Sequence, residues 1–182
     1  DTIEEEAERL NRFVGNLLNM TRLEAGALTL APAAFELRES LGRLVEAYGR
    51  RPGGGALSLQ IEGDMLVAQG DVILFEQAMG NILENALKFS PDGAPIQVSA
   101  RPVARGLMVE VTDQGPGVPE ADLERIFEKF YRFGGEEDRQ GGAGLGLSIV
   151  RGLLEAMGGT AVARNRKEGG LVLSVCLPGA AA

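Results

Sequence analysis

The sequence predicts an α+β fold: a two-layer α/β sandwich with helices on one face of a mixed, largely antiparallel sheet, preceded by one long helix. Two observations carry this prediction. Short segments such as "GLMVEVTD" and "LVLSVCLP" alternate apolar with polar residues, as half-buried strands do. Longer segments such as "GDVILFEQAMGNILENALKF" repeat apolar residues every three or four positions, as amphipathic helices do. The helices can then bury their apolar stripes against the sheet.

Composition excludes several classes of function. The 182 residues are 45% hydrophobic and 24% charged, which suits one soluble globular domain with a real core. The net charge of −8 disfavours binding to nucleic acid or anionic membranes, so a polyanionic ligand needs a metal ion or a few placed cations. The absence of histidine excludes histidine general bases and Ser-His-Asp triads. The lone Cys176 lies in a strand pattern and excludes an internal disulfide.

The first 25 residues predict a helix with a coiled-coil seam. Its positions repeat at intervals of four and three residues: Ile3, Ala7, Leu10, Val14, Leu17 and Thr21, broadened by Phe13 and Met20. So narrow a stripe predicts packing against another helix, and the simpler alternative is packing against its own domain. The chain begins inside this charged helical pattern, and no run of residues is apolar enough to span a bilayer. We therefore expect a fragment of a longer protein.

The other elements follow in order along the chain. Helices are expected at 35–49, 121–133 and 145–159. A longer helix is expected between its N-cap Asp71 and its stop at Ser90-Pro91. Strands are expected at "LSLQI", "MLVA", "PIQVSAR", "GLMVEVTD", "TAVARN" and "LVLSVCLP". The segment "GGEEDRQGGAG" between the last two helices predicts a flexible loop.

The long central helix carries a polar edge beside its apolar one. Asn81, Asn85 and Lys88 repeat the four-three spacing of the core stripe that begins at Phe75. They are shifted by one residue and so line a face about 100° away. Carboxamide oxygens suit Mg²⁺, and a lysine suits phosphate oxygens. The alternative is an ordinary solvated helix edge.

The segment "VTDQGPGVP" places Asp113 at the end of a strand, with Gly115 and Gly117 after it. A carboxylate can accept a hydrogen bond from an exocyclic amine such as that of adenine. The glycines let the backbone approach a ring closely. The alternative is a simple turn of Asp and Gly.

The segment "GGAGLGLSIV" places Gly142, Gly144 and Gly146 just before a helix. Backbone N–H groups and the positive end of the helix favour an anion there. A dinucleotide fingerprint would need a preceding strand and a glycine where Leu147 stands, and a P-loop would need Gly-Lys-Ser/Thr. A structural turn is the remaining alternative.

Four segments in this order and spacing resemble one family. "NILENALKFSP" resembles the N box of sensor histidine kinases, "DQGPGVP" the G1 box, "IFEKFYRF" the F box and "GGAGLGLSIV" the G2 box, with a loop of ATP-lid length between the last two. The likeness covers residues from about 35 to 178, and the first helix resembles the second helix of the dimerisation and phosphotransfer bundle. The N box and "RLNRFVGNLLNMTRLEAGALTL" are most similar to KdpD-type potassium-responsive kinases.

The resemblance implies the Bergerat (GHKL) fold, with ATP and Mg²⁺ as cofactors. Residues 1–26 would be part of the bundle, 27–34 a linker, and 35–182 the ATP-binding catalytic domain. The implied activity is that of a protein-histidine kinase, which transfers the γ-phosphate of ATP to a histidine not present in this fragment. The implied partners are a cognate response regulator and, in the full-length kinase, a second copy. No nucleic acid is expected. We expect the cytoplasmic domain of an inner-membrane sensor kinase, attached to the membrane only through missing upstream segments.

The resemblance also implies a role for each site residue. Asn81, Asn85 and Lys88 would form the catalytic set: Asn85 would ligate Mg²⁺ with Asn81 beside it, and Lys88 would meet the phosphates. Asp113 would hold the adenine amine. The other implied ATP-binding positions are Phe89, Gly115, Gly117, Val118, Phe127, Lys129, Arg132, Gly142, Gly144, Leu145, Gly146 and Leu147.

Within this set the implied contacts differ. Val118 would close on the adenine ring and Leu147 would pack below it, while Lys129 and Arg132 would reach the γ-phosphate. Phe127, together with Phe130, would seat the lid. Two positions depart from the family pattern. Phe89 stands where tyrosine is frequent, and Leu171 follows Gly170 where threonine or serine is frequent, so each lacks a hydroxyl.

Three other functions fit parts of the pattern. An ATPase of the gyrase, Hsp90 or MutL type uses a glutamate four residues before the metal asparagine, where this chain has Asn81; Glu84 is the neighbouring acid. A serine-kinase and anti-sigma module shares the fold, but the bundle-like first helix and the full F box argue against it. A non-catalytic nucleotide-binding domain is the third, and the intact boxes argue against it.

Overall fold

The computed structural model describes residues 2–51, 57–131 and 144–180. The helices are α1 (Thr2–Glu24), α2 (Leu37–Gly49), α3 (Val72–Phe89) and α4 (Gly146–Ala156). The strands are β1 (Ala33–Glu36), β2 (Leu57–Ile61), β3 (Val67–Gly70), β4 (Ile96–Val103), β5 (Gly106–Thr112), β6 (Thr160–Asn165) and β7 (Leu171–Leu177). Two short 3₁₀ turns lie at Glu120–Asp122 and Arg125–Phe127.

Within the described residues, five strands form the main sheet in the order β2-β4-β5-β7-β6. Only β2 and β4 pair in parallel, and the other neighbours are antiparallel, which confirms the predicted mixed, largely antiparallel sheet. Along β4, Ile96, Val98 and Ala100 are buried while Gln97 between them is exposed. The buried residues share one core with the apolar faces of α2, α3 and α4, which gives the predicted two-layer sandwich.

The helix α3 is the central support of the site. Its predicted core stripe from Phe75 to Ala86 is buried. The Oδ1 atom of Asp71 accepts hydrogen bonds from the backbone N–H groups of Ile73 at 3.0 Å and Leu74 at 3.2 Å, as an N-cap should. Its Oδ2 atom accepts another from the N–H of Ala31 at 2.9 Å. One carboxylate therefore starts the helix and fixes the preceding segment to it.

The first part of the predicted second helix is instead a strand. Phe35 and Glu36 belong to β1, which pairs with β3 in a separate two-stranded sheet. The ring of Phe35 packs 5.2 Å from that of Phe75, so burial of this aromatic favours the extended backbone. The helix begins after Glu36, whose Oε2 atom accepts a hydrogen bond from the N–H of Glu39 at 2.9 Å. The strand expected at "MLVA" is shifted by two residues and begins at Val67.

The helix predicted at 121–133 is wrong over the part that the structure describes. The chain makes the two 3₁₀ turns there, and residues after Phe127 leave the helical path. The N–H of Phe130 donates to the carbonyl of Gly144 at 2.9 Å, a partner that no continuous helix would offer. Phe130 has a φ of 61°, in the left-handed region that interrupts an α-helix.

The helix α1 has two different faces. Its last two turns pack on the domain, where Asn19 and Met20 are buried. The predicted seam points outward, since Leu10 is 62% and Val14 45% exposed. The seam therefore stays a prediction of pairing with another helix, while α1 also docks on its own domain. No helix in the three described ranges is long and apolar enough to cross a membrane.

Substitution of Asp71 by alanine should lower the free energy of unfolding by about 1–3 kcal/mol, because three backbone N–H groups lose their acceptor. Urea unfolding followed by circular dichroism measures the change. The control is Glu155→Ala, which removes an exposed carboxylate from α4 and should change stability by less than about 0.5 kcal/mol. Equal stability of the two variants would contradict the role given to Asp71.

Candidate nucleotide site

The polar edge of α3 faces the first turn of α4. A Cβ atom placed on Gly146 would lie 3.8 Å from Nδ2 of Asn85 and 4.0 Å from Cβ of Asn81. Gly146 opens α4, after the buried Leu145, and Leu147 packs against the core. The first N–H groups of a helix have no partner within it and carry partial positive charge, so this junction favours an anion. The structure thus brings together three of the predicted positions, Asn81, Asn85 and Gly146.

Asn81 also contacts α1. It is buried, and its Oδ1 atom accepts a hydrogen bond from Nδ2 of Asn16 at 3.0 Å. Its Nδ2 atom donates back to Oδ1 of Asn16 at 3.4 Å. The oxygen that a metal ion would need is therefore engaged with α1, whereas Asn85 is half-buried beside the start of α4.

Asp113 is buried directly after β5 and has one oxygen fixed by the backbone. Its Oδ1 atom accepts hydrogen bonds from the N–H groups of Gly115 at 2.8 Å and Leu171 at 3.0 Å. No hydrogen bond within the described ranges uses Oδ2. A buried carboxylate held by one oxygen presents the other as an acceptor in a defined direction.

The glycines after Asp113 are required by contacts of the chain with itself. A Cβ atom on Gly115 would lie 3.0 Å from the carbonyl oxygen of Phe89 at the end of α3. A Cβ atom on Gly117, whose φ is +74°, would lie 2.8 Å from Oδ1 of Asn165. The loop after Asp113 therefore packs against the C-terminal end of α3, where Lys88 lies one turn after Asn85.

The missing hydroxyl at Leu171 does not leave Asp113 without support. The backbone N–H of Leu171 donates to the carboxylate, and its carbonyl accepts from the N–H of Asp113 at 3.0 Å. Gly170 has a φ of +93°, and a Cβ atom there would lie 2.2 Å from the carbonyl oxygen of Asp113. Backbone groups thus hold Asp113 whatever side chain follows Gly170.

The predicted cations lie at the edges of this region. Nζ of Lys88 lies 4.7 Å from the ring centroid of Phe89, which is partly exposed. Nζ of Lys129 is paired with Oε1 of Glu24 on α1 at 2.5 Å. Arg132 and Gly142 lie outside the described residues, as do residues 134–143 of the predicted flexible loop.

In residues 126–131, the described part of the predicted F box, one phenylalanine is buried and another is exposed. Phe127 is buried, with the guanidinium of Arg151 4.2 Å from its ring centroid, whereas Phe130 is 67% exposed. Desolvation raises the pKa of the neighbouring Tyr131, and a hydrogen bond with Asp122 raises it further. Phe130 lies beside Gly144, where a Cβ atom would come within 2.9 Å of the carbonyl carbon of Phe130.

Glu84 faces α2 rather than Asn85. Its Oε1 atom is 3.5 Å from the hydroxyl of Tyr48 and 3.4 Å from Nη1 of Arg51. A general base must lie within hydrogen-bond reach of the attacking water molecule, whereas these contacts direct Glu84 toward Tyr48 and Arg51. This geometry does not favour an ATPase mechanism that uses Glu84.

Three residues near the site escaped sequence reasoning: Asn16, Glu24 and Asn165. Each comes from an element distant in the sequence from the residue it contacts, Asn16 by 65 positions and Asn165 by 47. For α1, the sequence offered only the seam, with packing on its own domain as the alternative to pairing with another helix. No motif marked Asn165.

Fold and site together define a nucleotide-binding α/β sandwich, with a polar helix edge, an Asp-Gly loop and a helix N-terminus side by side. The chain matches the family described as histidine kinase-, DNA gyrase B-, and HSP90-like ATPase over residues 70–181. It belongs to that family and is homologous to KdpD and other sensor histidine kinases.

Two curated relatives and one solved structure illustrate the likeness. The chain is 36% identical over 180 residues to the sensor protein KdpD of Mycobacterium tuberculosis, covering 97% of this chain and 21% of that protein. It is 36% identical over 168 residues to KdpD of Escherichia coli, covering 92% and 18%. Full-length ShkA in complex with AMPPNP matches with a TM-score of 0.83 at 28% identity, over 100% of this chain and 38% of that one. The chain spans about a fifth of the length of these curated relatives.

Substitution of Gly170 by alanine should disturb Asp113 directly, because its Cβ atom would overlap the Asp113 carbonyl. Gly169→Ala is a matched control: Gly169 has a φ of +90° and nothing within 4 Å of a placed Cβ atom. Both variants lose about 1–2 kcal/mol of stability from the positive φ. We expect Gly170→Ala to lose about 1–3 kcal/mol more from the clash. Urea unfolding measures both, and equal losses would contradict the close packing of Gly170 on Asp113.

Proposed function

We propose that these 182 residues bind Mg-ATP and transfer its γ-phosphate to a histidine that another segment supplies. The observation that carries the proposal is the Asp113 carboxylate, buried and fixed through Oδ1 while Oδ2 has no partner in the described ranges. Adenine carries an amine at one edge and a flat apolar ring, and a carboxylate beside a glycine loop suits both.

The phosphates would lie between α3 and α4. At the N-terminus of α4, a Cβ atom placed on Gly146 would lie 3.8 Å from Nδ2 of Asn85. The first backbone N–H groups of α4 would face the phosphate oxygens. Lys88, in the last turn of α3, would add a positive charge. With a net charge of −8 on the chain, local cations and dipoles must compensate the charge of ATP.

The donor set fits Mg²⁺ carried by the nucleotide. Asn85 offers a hard carboxamide oxygen, and Mg²⁺ takes one or two protein ligands together with phosphate oxygens. No cluster of three or more His, Cys, Asp or Glu side chains that could hold a metal ion occurs in the described part of the chain. When bound, the ion neutralises charge on the phosphates. Asn85 would orient it, while Asn81 would first have to release Asn16.

In phosphoryl transfer the chain would mainly position the reacting groups and compensate the negative charge of the phosphates. A histidine nitrogen attacks the γ-phosphorus, the bond to the bridging oxygen breaks, and ADP leaves. Because the chain contains no histidine, it should give no phosphohistidine when incubated with ATP alone. Lys129 would reach a γ-phosphate only after leaving Glu24 on α1. The position of α1 and the binding of ATP would then depend on each other.

The assignment extends to partners and location. The exposed seam of α1 with Leu10 and Val14 would pair with a second copy in the full-length kinase. The outer side of α1 would also receive a response regulator. The domain would lie in the cytoplasm, joined to an inner membrane through other segments of the protein.

Substitution of Asp113 by asparagine should weaken Mg-ADP binding about 10- to 100-fold. The variant keeps an oxygen for the N–H groups of Gly115 and Leu171 but turns an amide N–H₂ toward the adenine amine, so two donors face each other. Isothermal titration calorimetry measures the dissociation constant.

The matched control for this experiment is Asp64→Asn, an exposed carboxylate, which should bind like the wild type. Asn85→Ala should weaken binding only when Mg²⁺ is present. An affinity of Asp113→Asn within twofold of the wild type would overturn the assignment of Asp113. A wild-type chain that binds no Mg-ADP would overturn the nucleotide function itself.

A further inference from the structure

Asn165, the last residue of β6, makes an unusual contact with the loop after Asp113. Its Oδ1 atom accepts a hydrogen bond from the N–H of Val118 at 2.9 Å. Its Nδ2 atom donates to the carbonyl oxygen of Val118 at 2.6 Å. One carboxamide thus satisfies both backbone groups of one residue, as a neighbouring strand would, and fixes the orientation of Val118.

The carboxamide also fills the space beside Gly117. A Cβ atom on Gly117 would come within 2.8 Å of Oδ1 of Asn165, and Gly117 has a φ of +74°, which residues with a side chain rarely adopt. Gly117 and Asn165 therefore fit each other: the missing side chain of the one leaves room for the side chain of the other. A third hydrogen bond, from Nδ2 to Oε1 of Glu120 at 3.2 Å, holds the carboxamide in place.

The turn between β6 and β7 holds the other end of the same loop. Nη1 of Arg166 donates to the carbonyl oxygen of Asp113 at 3.1 Å, and the N–H of Leu171 donates to its Oδ1 atom at 3.0 Å. The segment 113–118 is thus fixed at its first residue by Arg166 and Leu171, and at its last residue by Asn165. The distance between the Asp113 carboxylate and the Val118 side chain depends on both attachments.

We propose that Asn165 is a positioning residue for adenine recognition, which sets Val118 at the correct place relative to Asp113. The proposal rests on the nucleotide function proposed above. Asn165 acts through the backbone of Val118: the hydrogen bonds of its side chain within the described ranges go to Val118 and Glu120, and none goes to α3 or α4. Its removal should therefore impair binding of the base and spare binding of the phosphates.

The test compares two probes by calorimetry, Mg-ADP and Mg-tripolyphosphate, which has no base. For Asn165→Ala we expect about tenfold weaker binding of Mg-ADP and unchanged binding of Mg-tripolyphosphate. Asn165→Asp has the same shape and keeps an acceptor for the Val118 N–H but loses the donor to its carbonyl, so it should also bind Mg-ADP more weakly. Asn11→Ala, an exposed asparagine on α1, should match the wild type with both probes.

Hydrogen exchange by NMR gives an independent readout. In Asn165→Ala the amide of Val118 should lose its protection while the amides of α3 keep theirs, which also shows that the variant is folded. Equal affinity of wild type and both Asn165 variants for Mg-ADP would overturn the inference, as would an equal loss for both probes. A wild type that binds neither probe refutes the proposed function instead, so the two failures are distinguishable.

Discussion

The structure of the site depends on the attachment of Asp113 to Leu171, the first residue of β7. Two hydrogen bonds define it: the N–H of Leu171 donates to Oδ1 of Asp113, and the N–H of Asp113 donates to the carbonyl of Leu171. The N–H of Gly115, in the loop after Asp113, also donates to Oδ1. The positive φ of Gly170 allows the two segments to meet, because any Cβ atom there would overlap the Asp113 carbonyl. This attachment orients Oδ2 and places the loop against the end of α3.

A second constraint is the joint between α3 and α4. The core stripe of α3 is buried, and the polar edge beside it carries Asn81 and Asn85 next to the start of α4. The anion-favouring end of α4 and the carboxamide of Asn85 on α3 therefore lie together. The helix α1 adds a competing partner on each side, Asn16 for Asn81 and Glu24 for Lys129. A ligand that needs Asn81 or Lys129 must displace it.

Much of this fold follows from local patterns, and the exceptions have physical reasons. β6 was predicted at its observed bounds and Asp71 as the cap of α3, since alternation and capping depend on neighbouring residues. The strand at Phe35 was missed because its stability comes from pairing with β3 and packing on Phe75, far away in sequence. The turn at Phe130 was mistaken for helix because its partner Gly144 lies across a loop.

The same distinction holds for the site. Asp113 and Asn85 belong to motifs whose spacing points to a ligand. The contact of Asn165 with Val118, by contrast, joins residues 47 positions apart in the sequence, and no local pattern marks it. The sequence motifs therefore predict which residues meet a nucleotide, and the structure adds the residues that hold these side chains in place.

The most direct test of the Asp113-centred site is a ¹H–¹⁵N NMR titration of the wild-type chain with Mg-ADP. We expect the largest shifts at the backbone amides of Gly115, Val118 and Leu171 and at the side-chain amide of Asn85, all saturating at one nucleotide concentration. Shifts absent from the loop after Asp113, or confined to α1, would contradict the placement of the nucleotide between this loop, α3 and α4.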